Sequence, residues 1–132
     1  MTTSVGKQAI AEHPNTSPQA LETLSKTIAW TVRQRVAANP NTPLHVIIQL
    51  ADDSDADVRL GVAANPNTPA KILSVLATDS NSAVRCVVAK HPNTPVGVLI
   101  ELTADYFPYV QEAAIKNPNC PMEIKVEYLL SS

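Results

Sequence analysis

The sequence contains little glycine, few aromatic residues and little cysteine. It has three glycines, two cysteines and 4% aromatic residues in 132 residues. No glycine-rich phosphate-binding loop is present. The cysteines, Cys86 and Cys120, are too few for a disulfide framework or a four-thiolate metal site, so we expect no cofactor and no bound metal.

An excess of charge of one sign and long apolar runs are also absent. Ten Lys and Arg against twelve Asp and Glu give a net charge of −2, which argues against default binding to nucleic acids or anionic membranes. Apolar runs fall far short of the ~20 residues of a membrane span, so we expect no membrane association. Residues 1–7 lack an apolar signal core, and we therefore expect a cytoplasmic protein.

Proline, by contrast, is abundant and regularly placed. Ten of the eleven prolines fall in five copies of one short motif, which begin 26 residues apart at His13, Asn39, Asn65, His91 and Asn117. A fixed period of this length is typical of solenoids. The sequence predicts a single repeat domain over residues 1–132, with a partial repeat at 1–12, full repeats at 13–38, 39–64, 65–90 and 91–116, and a partial repeat at 117–132.

Apolar spacing between the motifs predicts two short helices in each repeat and no strand. Pairs such as Val46/Leu50 and Val58/Val62 recur at i, i+4, the spacing of a helix face. The residue before each motif proline is forced out of the helical region. The second helix should therefore end at Ala38, Ala64, Lys90 and Lys116. The first helix should begin with a threonine N-cap and proline at the first helical position in Thr42-Pro43, Thr68-Pro69 and Thr94-Pro95, and with Ser17-Pro18 in the first repeat.

One repeat carries a family resemblance over its whole length. Residues 63–69 read Ala-Ala-Asn-Pro-Asn-Thr-Pro, and Ile72, Leu76, Asp79 and Val84 follow in register. This pattern resembles the leucine-rich repeat variant family of bacterial repeat proteins, and the same pattern runs through essentially the whole chain. The resemblance implies an all-α, right-handed superhelix of alternating α- and 3₁₀-helices without a sheet. It brings no activity, and the iron–sulfur segment of some family members has no counterpart here.

Sequence signatures of enzymes are absent. The chain contains no Gly-x-Ser-x-Gly, His-Glu-x-x-His or Cys-x-x-Cys pattern. His13 and His91 occupy the position that is asparagine in the other motif copies, which favours a polar turn over a metal ligand. We therefore predict a non-catalytic protein with no catalytic, cofactor-binding or metal-binding residues.

A basic column recurs at one repeat position, formed by Lys7, Arg33, Arg59 and Arg85. It could be a positive stripe for the phosphates of a nucleic acid. Alternatively, each arginine bonds the carbonyls of a neighbouring turn or pairs with an acidic column, formed by Asp53, Asp79 and Asp105. We favour the second interpretation because arginine suits such bidentate pairing.

Aromatic residues concentrate in the inter-helix connection of repeat four, at Tyr106, Phe107 and Tyr109, with Trp30 in the equivalent connection of repeat one. Connections run over the surface, and aromatic clusters with polar tips are typical of interaction hot spots. The alternative is that the rings cover the apolar ends of the stack. We expect Phe107 to cap, and Tyr106 and Tyr109 to bind.

The leading functional prediction is a repeat scaffold or adaptor that mediates protein–protein interaction, because stacked repeats give extended binding surfaces. The alternative is a nucleic-acid-binding solenoid that uses the arginine column.

Overall fold

The structure is a computed structural model that describes residues 3–131. Between these residues there are ten α-helices and no β-strand, which confirms the all-α fold class. In chain order they are α1 (Ser4–Glu12), α2 (Pro18–Leu24), α3 (Trp30–Ala38), α4 (Leu44–Leu50), α5 (Ala56–Ala64), α6 (Ala70–Leu76), α7 (Ser82–Lys90), α8 (Val96–Leu102), α9 (Pro108–Lys116) and α10 (Met122–Ser131).

Helices of two lengths alternate from α1 to α9, and α10 has ten residues. The long helices α1, α3, α5, α7 and α9 have nine residues each. The short helices α2, α4, α6 and α8 have seven. The apolar spacing predicted two short helices in each repeat, and the difference in their lengths was not predicted.

Both helix types are α-helices, so the alternation with 3₁₀-helices that the family resemblance implied is wrong for the described residues. In α4, the Ile47 N–H donates to the Pro43 carbonyl at 3.1 Å, and the Ala51 N–H donates to the Ile47 carbonyl at 2.9 Å, both with i→i−4 spacing. A 3₁₀-type bond occurs in the first turn, from Val46 N–H to the same Pro43 carbonyl. Terminal turns tighten in this way to use groups without an intrahelical partner.

The motif threonine does not cap the short helix that follows it, contrary to the prediction. The N-cap of α4 is Pro43, which makes no side-chain capping bond. Thr42 is buried beside the end of α3, and its Oγ1 donates to the Val36 carbonyl at 2.5 Å. The equivalent bonds run from Thr68 to Val62 and from Thr94 to Val88, each at 2.6 Å. The threonine therefore satisfies a C-terminal carbonyl of the preceding long helix.

The first motif copy has one extra serine and makes both kinds of bond. Ser17 Oγ accepts from the Ala20 N–H at 3.2 Å, with Pro18 at the first helical position, as predicted. Thr16 Oγ1 donates to the Ile10 carbonyl, the same closing bond that the other threonines make.

Proline ends the long helices where the sequence predicted, at Ala38, Ala64, Lys90 and Lys116. Asn39, which precedes Pro40, has an extended backbone with φ −76° and ψ 125°. No residue in the described range has a positive φ, so the chain turns without the conformations that favour glycine. This explains how a chain so poor in glycine makes so many turns.

The chain divides into two compact units, Met1–Thr68 and Pro69–Ser132. In the first unit, α3 packs against both α1 and α5, and the short helices lie against the long ones. Its fully buried side chains include Leu21, Val32, Val36, Val46, Val58 and Val62. Each such valine contributes about 1.5–3 kcal/mol relative to an exposed one.

In the second unit, α7 packs against α9, and α8 contacts both of them. The core is built from Leu73, Leu76, Val84, Val88, Leu99 and Val110. A single repeat domain with a right-handed superhelix stays a prediction. None of the helices in the described range is both long and apolar enough to cross a membrane.

Candidate functional site

The first asparagine of the motif binds the preceding motif copy. Asn39 Nδ2 donates to the carbonyls of Ala11 at 2.7 Å and His13 at 3.0 Å. Its Oδ1 accepts from the Asn41 N–H at 2.9 Å. The same three bonds recur at Asn65 and Asn117. The sequence indicated a structural role for the motif, and the structure shows that this role is a link between repeats.

The second asparagine of the motif adds a further link. Asn67 Nδ2 donates to the Pro40 carbonyl at 2.8 Å, and Asn119 Nδ2 donates to the Pro92 carbonyl at 3.0 Å. Asn41 bonds the Pro14 carbonyl in the same way. These prolines lie in the turn after each long helix, where their carbonyls accept from the asparagine side chains. The motif asparagines therefore link successive motif copies within each unit.

Arg33 joins neighbouring repeats of the first unit. Its Nε and Nη2 donate to the carboxylate of Asp53 at 2.9 and 3.2 Å, and its Nη1 donates to the carbonyls of Thr27 and Ile28 at 3.0 and 2.7 Å. The Arg33 and Asp53 side chains are 17% and 11% exposed. Arg59 Nη1 donates to the Asp53 carbonyl at 2.8 Å. A bidentate guanidinium–carboxylate pair of this kind fixes geometry as well as charge.

Arg85 makes the equivalent contacts in the second unit. Its Nε and Nη2 donate to Asp105 at 2.7 and 3.2 Å, and its Nη1 donates to the Asp79 carbonyl at 2.7 Å. Burial raises the pKa of Asp105, but hydrogen bonds from Arg85 and from the Phe107 N–H outweigh burial, so the net pKa lies below its usual value. The bond to Asp105 raises the pKa of Arg85. This pair is therefore fully charged near neutral pH.

These contacts show what the arginines of the proposed basic stripe bind. Lys7 occupies the stripe position in α1, while Arg33, Arg59 and Arg85 donate to carbonyls or carboxylates of the protein. A phosphate could bind the guanidinium of Arg33 or Arg85 only by displacing the half-buried carboxylate of Asp53 or Asp105. Each arginine therefore makes the kind of contact that is expected if the basic column has a structural role.

The three aromatic side chains of repeat four form one cluster, which we call the aromatic patch (Tyr106, Phe107 and Tyr109). The Tyr106 and Phe107 rings meet edge to face with centroids 5.2 Å apart, and the Phe107 and Tyr109 rings are tilted at 5.7 Å. Tyr106 is 88% exposed, Tyr109 46% and Phe107 39%. The three rings together form an exposed apolar patch on the second unit.

Polar contacts hold the aromatic patch in place. The Arg85 guanidinium lies over the Phe107 ring, 5.9 Å from its centroid. The Tyr109 hydroxyl bonds Ser82 Oγ at the start of α7, and the Phe107 N–H donates to Asp105 Oδ1 at 3.0 Å. Phe107 is the N-cap residue of α9, and its ring neighbours are the two tyrosines. The Phe107 ring thus contacts both tyrosines, and its capping role stays a prediction.

Trp30 lies in the first unit, as the first residue of α3, and is 42% exposed. Ile28, two residues earlier, is 96% exposed and occupies the repeat position of Tyr106. The first unit therefore also presents an apolar connection, although the three-ring cluster belongs to repeat four.

A groove between α7 and α9 adjoins the aromatic patch, and sequence reasoning did not find it. It has a volume of about 260 Å³ and is lined by Cys86, Lys90, Tyr109, Glu112, Ala113 and Lys116. We call it the lysine groove. A sequence signal existed: Lys90 and Lys116 occupy the position that is alanine in the two preceding repeats, at Ala38 and Ala64.

Both cysteines are free thiols, half-buried at Cys86 and buried at Cys120. Burial raises the pKa of the Cys120 thiol. Cys120 occupies the position of the motif threonine, so it fills the same buried space without the hydroxyl. The described residues hold no group of three or more His, Cys, Asp or Glu side chains placed to bind a metal.

Alternating helices linked by a recurring Asn-Pro-Asn motif define a helical repeat protein. Residues 56–81, which span α5, α6 and the connections that follow them, match the family model described as Leucine rich repeat variant. This match confirms the resemblance to the leucine-rich repeat variant family. No curated protein and no solved structure matches the chain.

Proposed function

We propose that the protein is a non-catalytic repeat scaffold that binds a protein partner through the aromatic patch. The observation that carries this proposal is the exposure of three touching rings at the N-terminal end of α9. Aromatic residues dominate binding energy at protein interfaces, because each buries a large area and loses little conformational freedom.

The fixed geometry of the aromatic patch supports the proposal. Arg85 beneath Phe107 and Ser82 on the Tyr109 hydroxyl hold the rings before any partner arrives. A surface that is ordered in advance pays less entropy on binding. Tyrosine hydroxyls also tolerate water in the unbound state, which a cluster of leucines would not.

Sequence features support the remaining parts of the proposal. The chain lacks the motifs of nucleotide-binding, hydrolytic and metalloprotease sites, which supports a non-catalytic role. The match to the leucine-rich repeat variant model supports a bacterial repeat protein, and we propose a cytoplasmic location.

The test is capture of partners from a lysate of the source cell with the whole chain as bait. A variant with Tyr106→Ser and Tyr109→Ser should lose the captured protein while its melting temperature changes by no more than a degree or two. Ile28→Ser is the matched control, because it removes an exposed apolar side chain from the same repeat position outside the aromatic patch. It should capture the partner as wild type does.

Two results would contradict the proposal. One is equal capture by the tyrosine variant and wild type. The other is a captured species that is nucleic acid, bound with a steep salt dependence and lost in Arg59→Ala, since counterion release makes phosphate binding salt-sensitive.

A further inference from the structure

The lysine groove runs along two parallel helices and has different chemistry at its two ends. Tyr109 lies at the start of α9, near Ser82 at the start of α7. Lys90 and Lys116 are the last residues of α7 and α9. Half-buried Cys86 and buried Ala113 line the groove between these ends. One end of the groove is therefore lined by an aromatic ring, its middle by small and weakly polar side chains, and its other end by two lysines.

A second, smaller hollow continues the groove at its cationic end. It has a volume of about 140 Å³ and is lined by Lys90, Ala113, Lys116, Asn117 and Pro118. The two hollows share Lys90, Ala113 and Lys116. The two hollows are therefore adjacent, and their lining extends from Tyr109 to Pro118, a course that an extended chain can follow.

The charges that line the lysine groove indicate which kind of ligand it binds. Lys116 Nζ lies 2.7 Å from Glu112 Oε1, and both side chains are mostly exposed. With Lys90, the lining carries two positive charges and one negative charge, a net excess of one. A single carboxylate complements this excess. A nucleic acid carries a negative phosphate at every nucleotide, which exceeds this single positive charge.

Resting on the proposed function, we propose that the lysine groove binds a short extended peptide of the partner, with an aromatic or apolar side chain against Tyr109 and an acidic side chain between Lys90 and Lys116. The separation of Tyr109 and Lys116 along α9 sets the expected spacing of the apolar and acidic residues of the peptide. Tyr109 and Lys116 are seven residues apart on one helix, or about 10 Å. An extended peptide covers this distance in about three residues. The acidic and apolar residues of the ligand should therefore be separated by two others.

The test uses the full chain and a blocked peptide, Ser-Phe-Ala-Ala-Glu-Ser, in an NMR titration that detects millimolar affinity. Amide signals of α7 and α9 should shift. A peptide with glutamine in place of glutamate, and one with Phe and Glu adjacent, should each bind at least about threefold more weakly. Cys86 offers a second readout, because bound peptide should slow its alkylation by iodoacetamide without changing that of buried Cys120.

Lys90→Gln and Lys116→Gln should each raise the dissociation constant about two- to fivefold, the range for exposed ion pairs. Lys71→Gln, on the exposed side of α6, is the matched control and should leave it unchanged. Equal affinity for all three peptides, an equal effect of Lys71→Gln, or tighter binding of oligouridine than of the peptide would overturn the inference. Tyr109 belongs to both surfaces, so the single variant Tyr106→Ser, which lies outside the groove lining, separates the proposals. Loss of capture in Tyr106→Ser tests the aromatic patch, and the peptide titration tests the lysine groove.

Discussion

At the first position of the proline motif, Asn39, Asn65 and Asn117 each use the whole side-chain amide. Two N–H donors bind carbonyls of the preceding repeat, and the oxygen accepts a backbone N–H two residues on. All three residues are at most 3% exposed. His91 shows how histidine fills the same position, because its Nδ1 accepts from the Asn93 N–H at 3.0 Å. Asparagine and histidine are interchangeable here because both offer an acceptor at the same point.

Replacing this amide should be costly. Asn117→Ala leaves the carbonyls of Ala89 and His91 and the Asn119 N–H without their partner, and should destabilise the fold by about 2–4 kcal/mol. Asn117→His should lose less, since it keeps an acceptor for Asn119. Urea unfolding followed by circular dichroism measures both. Equal losses for the two variants would contradict this account of the position.

The Arg85–Asp105 pair makes an acid-dependent contribution to stability. The folded-state pKa of Asp105 lies below its unfolded value of about 3.9. Its contribution is therefore complete above about pH 4 and is lost as pH falls through the lower folded pKa. Asp105→Asn keeps an acceptor for the Phe107 N–H but removes the charge. We expect wild type to be the more stable at pH 7 and the difference in melting temperature to shrink below pH 4. Parallel curves for the two proteins from pH 7 to 2 would rule this out.

At the scale of helices, close approach depends on one glycine. A Cβ on Gly61 of α5 would lie 2.8 Å from the Gln34 carbonyl oxygen and 3.0 Å from Ala37 Cβ in α3. The backbone at Gly61 is ordinary helix, so the reason for glycine is space rather than conformation. The absence of a side chain lets α3 and α5 of the first unit pack backbone against backbone.

Gly61→Ala and Gly97→Ala should therefore have opposite effects on stability. The first forces α3 and α5 apart and should cost about 1–3 kcal/mol. The second adds a Cβ that meets no atom within 4 Å beyond its chain neighbours and the backbone of its own helix, and should stabilise α8 by about 0.4–1 kcal/mol through the unfolded chain. The midpoints of urea unfolding give the comparison directly. A loss of stability in both variants would contradict the expected stabilisation by Gly97→Ala.

Across the whole molecule, buried area is unevenly distributed among the helices. The described part of α10 has no buried residue and α1 has one, whereas α5 has four and α9 has three. In repeat proteins, the protection of an element comes mainly from the neighbours that cover it. The helices near the two chain ends therefore contribute the fewest buried residues to the core.

Native-state hydrogen exchange should reproduce this order. We expect amides of α10 and α1 to exchange fastest, and those of α5 and α9 to be among the slowest, since local opening costs least where few apolar side chains are buried. Mass spectrometry of the intact chain after short labelling times, followed by pepsin digestion, resolves these helices. Uniform protection along the chain would show that the described burial does not control local stability.

Local features of the sequence determined much of the fold. The 26-residue motif spacing, the ends of the long helices before Asn-Pro or His-Pro and the inward apolar columns could all be read directly. Each depends on backbone sterics or on the side-chain period of a helix, which act between residues close in the chain. The seven-residue short helices lie where the apolar pattern predicted helices, although they are α-helices and not the 3₁₀-helices that the family resemblance implied.

Tertiary structure decided which partner each polar side chain takes. Thr42 could have capped α4, and the packed turn places its hydroxyl on the Val36 carbonyl instead. Arg33 reaches Asp53 twenty residues away, and Asn117 reaches carbonyls of the preceding repeat. The lysine groove likewise exists only once α7 and α9 lie side by side. The sequence gives donors and acceptors, but their pairing depends on which backbones approach, and side-chain packing in the folded chain alone fixes that.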